Sequence, residues 1–470
     1  MATPASVEQA PLWRLSLAQL SQGFSSGQFT PSQVCEQVIT AIKQQNPSLN
    51  AYIYLNPLLL SQAEQSTLRW QQGCPLSPVD GIPLAVKDNL HVAGMPTSWG
   101  NASLAKLVQP NSEYCVAQCQ QAGMLIIGKT NLPEFASDGI TSNPHFGSTS
   151  NPWDRQLTPG GSSGGSVAAV ASGLAPCALG TDGGGSIRRP CAHTGLYGLK
   201  PTAELISRKD GLPRFMFDFE VAGPIARSVS DLSLLLSVIG EQDYSCALQP
   251  SPSSSLKILA VEQLQSHPVE PQIRAANRQV AEQLKHLGHH VETAALPLDL
   301  DFFNQFWPIL AEVGLAFVFD EFPEVASSSQ SKYQHLASQG GKYSAVDIMR
   351  AWQQVLLFRQ QVKQLFKHWD IVLMPSIATL AWPLEQAYPS TIAGQAVGPR
   401  GHAAFTGWVN MAGNPALNVP VRPCSSSTPI GLQLIADWHQ EARLLRLAAQ
   451  LEALQPKWAW PPLPQSKGDK

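Results

Sequence analysis

Apolar and polar positions along the chain alternate with two periods, one helical and one extended. Thr30-Pro31 supplies an N-cap and a proline at the first helical position, and a helix-periodic run follows to about Ile42. The segment GIPLAVKDNL, residues 81 to 90, then has strand character with a lysine inside it. A second strand is predicted at MLIIGKTN, residues 124 to 131, reached from a helix that ends near Gly123. Loop-rich sequence leads on to a small-residue stretch, Ser166 to Gly180, that reads as the start of a packed helix. Ser228 opens an apolar helix, DLSLLLSVIG. Beyond the Pro/Ser-rich segment 249–255, the best linker candidate, come a strand (LKILAV), a helix (about 271 to 287) and a strand (HVETAAL). That is the alternation of an open α/β sheet. Residues 300 to 365 read as a helical insertion. DIVLMP (370 to 375) and PIGLQLIA (429 to 436) read as strands, and a closing helix as residues 440 to 453. No fixed-period repeat interrupts this order. The pattern predicts an α/β protein, a mixed sheet between helices.

Composition narrows the function classes. The chain has 470 residues, 44% hydrophobic and 14% charged, with a formal net charge of −3. The length allows about three domains or one large α/β domain with insertions. No basic block offers a footprint for nucleic acid or for an anionic membrane surface. The opening MATPASVEQAPLW lacks the basic and apolar regions of a secretory signal. No stretch reads as a membrane span. Eight cysteines are scattered, and Cys115 and Cys119, four apart, have no further ligand at metal spacing. His289-His290 reads as a polar helix terminus rather than a ligand pair. The expectation is a reduced, cytoplasmic protein without a metal or organic cofactor.

The candidate chemistry lies in GGSSGGSVAAVASGLAPCALGTDGGGSIRRP, residues 160 to 190, where two glycine–serine clusters flank a small-residue segment. A phosphate loop would need a lysine after its glycines, and neither cluster has one. Residues 161 to 165 match G-x-S-x-G with Ser163 in the nucleophile slot, but that motif needs a strand running into it. Here the approach is PWDRQLTPG. Two serines working together is the third reading, and it draws in Lys87. Burying an ammonium is costly unless it is paired or neutral, and a neutral amine can act as a general base. A lysine that snorkels to water or pairs with Asp88 is the plain alternative.

The run from GGSSGG through SIRRP to GLYGLKPT resembles the signature region of the amidase signature family of serine hydrolases. GIPLAVKDN, GKTNLPEFA, NPWDRQLTPGGSSGG, VAGPIARSVSDL and FTGWVNMAGNPALNVPV resemble other parts of that family. The likeness spans residues 15 to 450 and is strongest from 80 to 230. It implies the amidase signature fold as a single domain over 1–470, with a mixed central sheet covered by helices on both faces. It implies a Ser–cis-Ser–Lys triad: Lys87 as base, Ser162 as bridging serine with a cis peptide bond, Ser186 as nucleophile. Gly183, Gly184 and Gly185, with Ser186, resemble the family's oxyanion hole. The implied activity is hydrolysis of a carboxamide to an acid plus ammonia or amine through an acyl-enzyme, and the implied assembly is a homodimer.

Arg189 and Ser163 are the candidate substrate-binding residues, Ser163 having a structural role as its alternative. A guanidinium three residues past the nucleophile can grip a carboxylate with two hydrogen bonds, which suits a small acidic or carbamoyl amide. Pairing of Arg188 and Arg189 with loop carboxylates is the competing reading. Trp307, Phe317 and Trp408 are candidate pocket aromatics or ordinary core. The A subunit of the tRNA-dependent amidotransferase is the main alternative. That protein usually reads SIRQP and carries an aspartate where this chain has Ala403. An inactive relative kept for binding within a complex is a further alternative.

Overall fold

An eleven-stranded mixed sheet runs through the computed structural model, which describes residues 11–249, 255–421, 428–456 and 458–462. In chain order the strands are β1 (Tyr52–Leu55), β2 (Pro83–Lys87), β3 (Leu125–Thr130), β4 (Cys177–Asp182), β5 (Tyr197–Lys200) and β6 (Val221–Ala226). They continue as β7 (Lys257–Ala260), β8 (His290–Thr293), β9 (Ile371–Pro375), β10 (Ala416–Val421) and β11 (Ile430–Ile435). Across the sheet the order is β1-β3-β2-β4-β6-β5-β10-β11-β9-β7-β8. β3, β2 and β4 are mutually parallel, as are β9, β7 and β8, and the strands between them pair antiparallel. Every residue of β2, β3, β4, β6, β9, β10 and β11 is buried, as expected when helices cover both faces. This is the α/β architecture that the sequence pattern predicts.

Local signals in the sequence set many of the elements. Thr30 caps the helix Pro31–Leu49 in a capping box with Gln33, and the helix runs past Ile42 to Asn50, which adopts left-handed geometry. The predicted helices beginning at Ser228 and near 271, and the closing helix, are present as Val229–Ile239, Pro271–His286 and Glu441–Leu454. Residues 300 to 365 fold as four helices, Asp301–Glu321, Pro323–Ser328, Ser331–Gly340 and Ala345–Leu365. The first is long and apolar enough to cross a membrane; it packs against Ser331–Gly340.

One expectation changes, a second is borne out as a packed helix start that ends early, and several strands are not anticipated. His289 follows the helix end at His286 and His290 opens β8. His289 Nδ1 accepts the Leu256 amide at 3.2 Å, so the pair belongs to a strand start. Ser166 to Gly180 is a short helix, Gly164–Ala171, that turns directly into β4. Strands β1, β4, β5, β6 and β10 are not predicted: glycine and proline interrupt VAGPIA and ALNVPV, Ala-Gly dilutes CALGTD, and β1 and β5 are only four residues long. Most of the linker candidate 249–255, residues 1–10 of the opening segment, and Cys424 lie outside the described residues.

Gly128 shows how closely the edge of the sheet is packed. A Cβ there would lie 2.1 Å from the Tyr54 carbonyl oxygen of the neighbouring β1. Gly128→Ala should therefore lower stability by on the order of 1–3 kcal/mol in denaturant unfolding. Gly398→Ala is the control: a Cβ there meets nothing within 4 Å, and its effect should stay within about 0.5 kcal/mol.

Candidate active site

Because β2 and β4 are adjacent and parallel, their carboxyl ends place Lys87 beside Thr181 and Asp182. The crevice outside such strand ends is where open α/β sheets bind ligands. Two loops complete the site. One precedes the helix Gly164–Ala171 and carries the cis peptide bond Gly161–Ser162. The other leaves β4 at Asp182 and turns through Gly183–Ile187 into the helix Arg188–Thr194.

The second turn is built on Asp182, which is fully buried. Its carboxylate accepts the amides of Gly185 (2.6 Å) and Ile187 (3.1 Å) and two nitrogens of the Arg188 guanidinium (3.0 Å each). Asn410 Nδ2 adds a further donor at 2.9 Å. Arg188 and these hydrogen bonds outweigh burial and hold the carboxyl well below the usual carboxylate range. Gly185 adopts a φ of +116°, and a Cβ on it would lie 2.2 Å from Thr406 Oγ1. Only glycine fits that position.

Lys87 is completely buried. Its Nζ lies 2.8 Å from Ser162 Oγ, 2.9 Å from Thr181 Oγ1 and 3.3 Å from the Thr181 carbonyl. Burial lowers its pKa to about 7; Glu220 and Asp182 oppose that fall, and Arg208 and Arg189 add to it. The contact with Ser162 displaces the reading of Lys87 as a snorkelling or Asp88-paired side chain. Asp88 instead pairs with Lys129 at 2.9 Å.

Ser162 and Ser186 both line a cavity of about 410 Å³ together with Gly183 and Gly184. The amides of Gly183, Gly184 and Ser186 donate to no acceptor among the described residues. Gly185 differs from its expected role, since its amide is taken by Asp182 and turned away from the cavity. Ser163 also departs from substrate contact. Its hydroxyl donates to the Thr181 carbonyl at 3.1 Å and its amide to the Ser186 carbonyl at 3.2 Å, which ties the two loops together behind the site.

The two arginines part company. Arg188 is consumed by Asp182, Gln433 and Asn410. Arg189 lines the cavity at 8% exposure. Among the described residues it has no carboxylate partner, and its Nε is unpartnered. Its guanidinium instead lies 3.4 Å from His402 Nε2. Burial lowers its pKa to about 10, with the Arg400 and Arg188 charges adding to the fall and the carboxylates of Asp182 and Asp138 opposing it, so it stays cationic at neutral pH. The Arg400 guanidinium lies over the Trp307 ring, 5.4 Å from its centroid, on the same cavity wall. Of the candidate aromatics Trp307 lines the cavity, Phe317 is exposed and Trp408 is buried in the core. Sequence reasoning missed Thr181, Asn89, Glu220, Arg400 and His402. Asn89 stands within the lysine segment GIPLAVKDNL, whereas nothing around Glu220, Arg400 or His402 distinguishes them locally.

A buried lysine meeting a serine hydroxyl, a second serine open to the cavity and free amides beside it form a site whose chemistry suits amide hydrolysis. Residues 33–445 match the Amidase family model, and the chain belongs to the amidase signature family. It is 32% identical to the A subunit of the glutamyl-tRNA(Gln) amidotransferase of Chloroflexus aurantiacus, over 94% of this chain and 97% of that one. Among solved structures it is similar to 6-aminohexanoate cyclic dimer hydrolase complexed with substrate, with a TM-score of 0.87, 26% identity, and 97% and 100% of the two chains covered. A bacterial aryl acylamidase of the amidase signature enzymes gives a TM-score of 0.86 at 26% identity, over 94% and 97%.

A base must be neutral to take a proton, and burial brings the pKa of Lys87, the expected base, down to about 7. Amide turnover, measured as kcat/KM, should fall about ten-fold per pH unit below that value and level off above it.

Proposed function

We propose that the chain hydrolyses a small carboxamide whose acyl part carries a carboxylate or carbamoyl group, through an acyl-enzyme on Ser186. Neutral Lys87 takes the proton of Ser162 as Ser162 takes that of Ser186. The Ser186 oxygen attacks the amide carbon, and the resulting oxyanion is received by the amides of Gly183, Gly184 and Ser186. The C–N bond breaks as the proton returns through Ser162 to the leaving nitrogen. Water then attacks the ester, with the same relay as base, and releases the acid. Catalytic hydrogen bonds commonly close only around bound substrate, which suits a Ser186 hydroxyl still open to the cavity.

Arg189 carries the substrate class. An unpaired buried cation is costly, and an anionic or strongly polar acyl group would supply the missing partner. Ala403 lines the same cavity at the position where an amidotransferase aspartate is expected, which weighs against glutamine as substrate. A second reading, the A subunit of a tRNA-dependent amidotransferase, is favoured by the name of the Chloroflexus relative and would require partner chains.

The deciding experiment measures ammonia release from glutamine, dicarboxylic acid monoamides, ureas, aliphatic amides and aryl amides, with Lys87→Ala alongside. Turnover of the monoamides, abolished in Lys87→Ala, is the expected result. Turnover of glutamine alone would favour the amidotransferase reading, and silence from folded protein would favour a binding role. Arg189→Met should raise KM for an anionic monoamide at least about ten-fold, the loss of a charge-assisted pair. Turnover of a neutral aliphatic amide should change far less.

A further inference from the structure

A second set of buried polar groups meets Lys87 through Thr181, and two of its members, Thr181 and Glu220, line the same cavity as Ser162 and Ser186; the serine–lysine relay does not use it. Thr181 Oγ1, 2.9 Å from Lys87 Nζ, is also 3.0 Å from Asn89 Nδ2. Asn89 Nδ2 lies in turn 2.8 Å from Glu220 Oε1. Glu220 Oε1 meets the Arg208 guanidinium at 3.4 Å, and Arg208 is clamped against Glu113. Each link of this set has a defined polarity. A carboxylate only accepts, so Asn89 turns its amide nitrogen to Glu220 and gives its second N–H to Thr181. Its carbonyl oxygen is left buried without a partner among the described residues. Orphaning a buried acceptor is unfavourable, which makes this orientation one that Glu220 imposes rather than one the asparagine would choose.

The consequence falls on the amine. Thr181 offers Lys87 two acceptors, its hydroxyl and its carbonyl oxygen. With both hydrogens of the neutral amine directed there, the nitrogen lone pair faces Ser162. We propose that Glu220 and Asn89 are positioning residues: Glu220 orients Asn89, Asn89 fixes the Thr181 hydroxyl, and the fixed Thr181 aims the Lys87 lone pair at Ser162. The proposal rests on Lys87 being the base of the reaction. The charges that face Lys87 are Glu220 and Asp182, which favour the ammonium, and Arg208 and Arg189, which oppose it. Those that face Glu220 are Arg208 and, behind it, Glu113.

The test needs no knowledge of the natural amide. The rate at which a fluorophosphonate labels Ser186 is measured against pH for the wild type, Lys87→Ala, Glu220→Gln, Asn89→Ala, Thr181→Ser and Thr181→Val. Glu220→Gln keeps the acceptor for Asn89 but removes the charge, so the ammonium is less favoured. The acid limb should move to lower pH by at least about half a unit. Asn89→Ala and Thr181→Val should lower the plateau rate about ten-fold or more, while Thr181→Ser stays within about two-fold of wild type. A merely structural role would not move the acid limb. Glu220→Gln and Asn89→Ala curves that superimpose on the wild type, with Lys87→Ala inactive, overturn the positioning role alone. Lys87→Ala labelling as fast as wild type overturns the base itself and this proposal with it. Should Asn89→Ala not fold, the plateau rates of Thr181→Val and Thr181→Ser decide: equal rates overturn the positioning role, and a loss confined to Thr181→Val supports it.

Discussion

One buried carboxylate organises the site. Asp182 closes strand β4 and gathers the amides of the turn that follows, the guanidinium of Arg188 and the amide of Asn410. A turn of three successive glycines has no conformational preference strong enough to hold a nucleophile in place. The carboxylate supplies the missing constraint by accepting from residues three and five positions ahead of it. Arg188 offsets the cost of burying that charge and carries the constraint onward to Gln433 in β11, so the turn is anchored to the far half of the sheet. Breaking such a pair leaves an uncompensated charge, which is why its members are fixed in place.

The same reasoning divides the charges around the cavity into two sets. Asp182 with Arg188, Asp88 with Lys129, and Glu113 with Arg208 are matched within the fold and hold backbone in position. Lys87 and Arg189 have no such match among the described residues. Burial drives the first toward the neutral amine that a base requires. The second keeps its charge and lines the cavity, which is why the proposed substrate carries an anionic or carbamoyl group. Sorting buried ions by whether the fold completes them separates scaffold from chemistry more sharply than burial alone.

The sequence carried the architecture unevenly. Strands such as IVLMP and IGLQLI are apolar runs of the right length and are legible at once. VAGPIA and ALNVPV are not: in the first, a Cβ on Gly223 would lie 2.1 Å from the Leu199 carbonyl oxygen, so close backbone approach selects glycine there, and in the second Asn418 and Pro420 break the apolar run. At the site, Lys87, Ser162 and Ser186 stood out through clustered glycines and through the family resemblance. The directions of the Gly185 amide and the Ser163 hydroxyl could not be read that way. Both depend on which acceptor lies behind the turn, a matter of three-dimensional register. Glu220, Arg400 and His402 come from separate segments and meet only in the folded chain.

That difference in legibility follows the division of labour in the cavity. Its floor is made by the loop before the helix Gly164–Ala171 and by the turn that leaves β4, where hydrogen-bond geometry leaves few residue choices. Its outer wall is made by Trp307, from the helical region 301–365, and by the loop holding Arg400, His402 and Ala403. There only shape and charge are constrained, and many sequences can satisfy both. A chain can therefore be 32% identical to one component of an amidotransferase and 26% identical to a cyclic dimer hydrolase, share the fold with each, and still differ in what it binds. The reaction is written in the floor, and the substrate must be read from the charges of the wall.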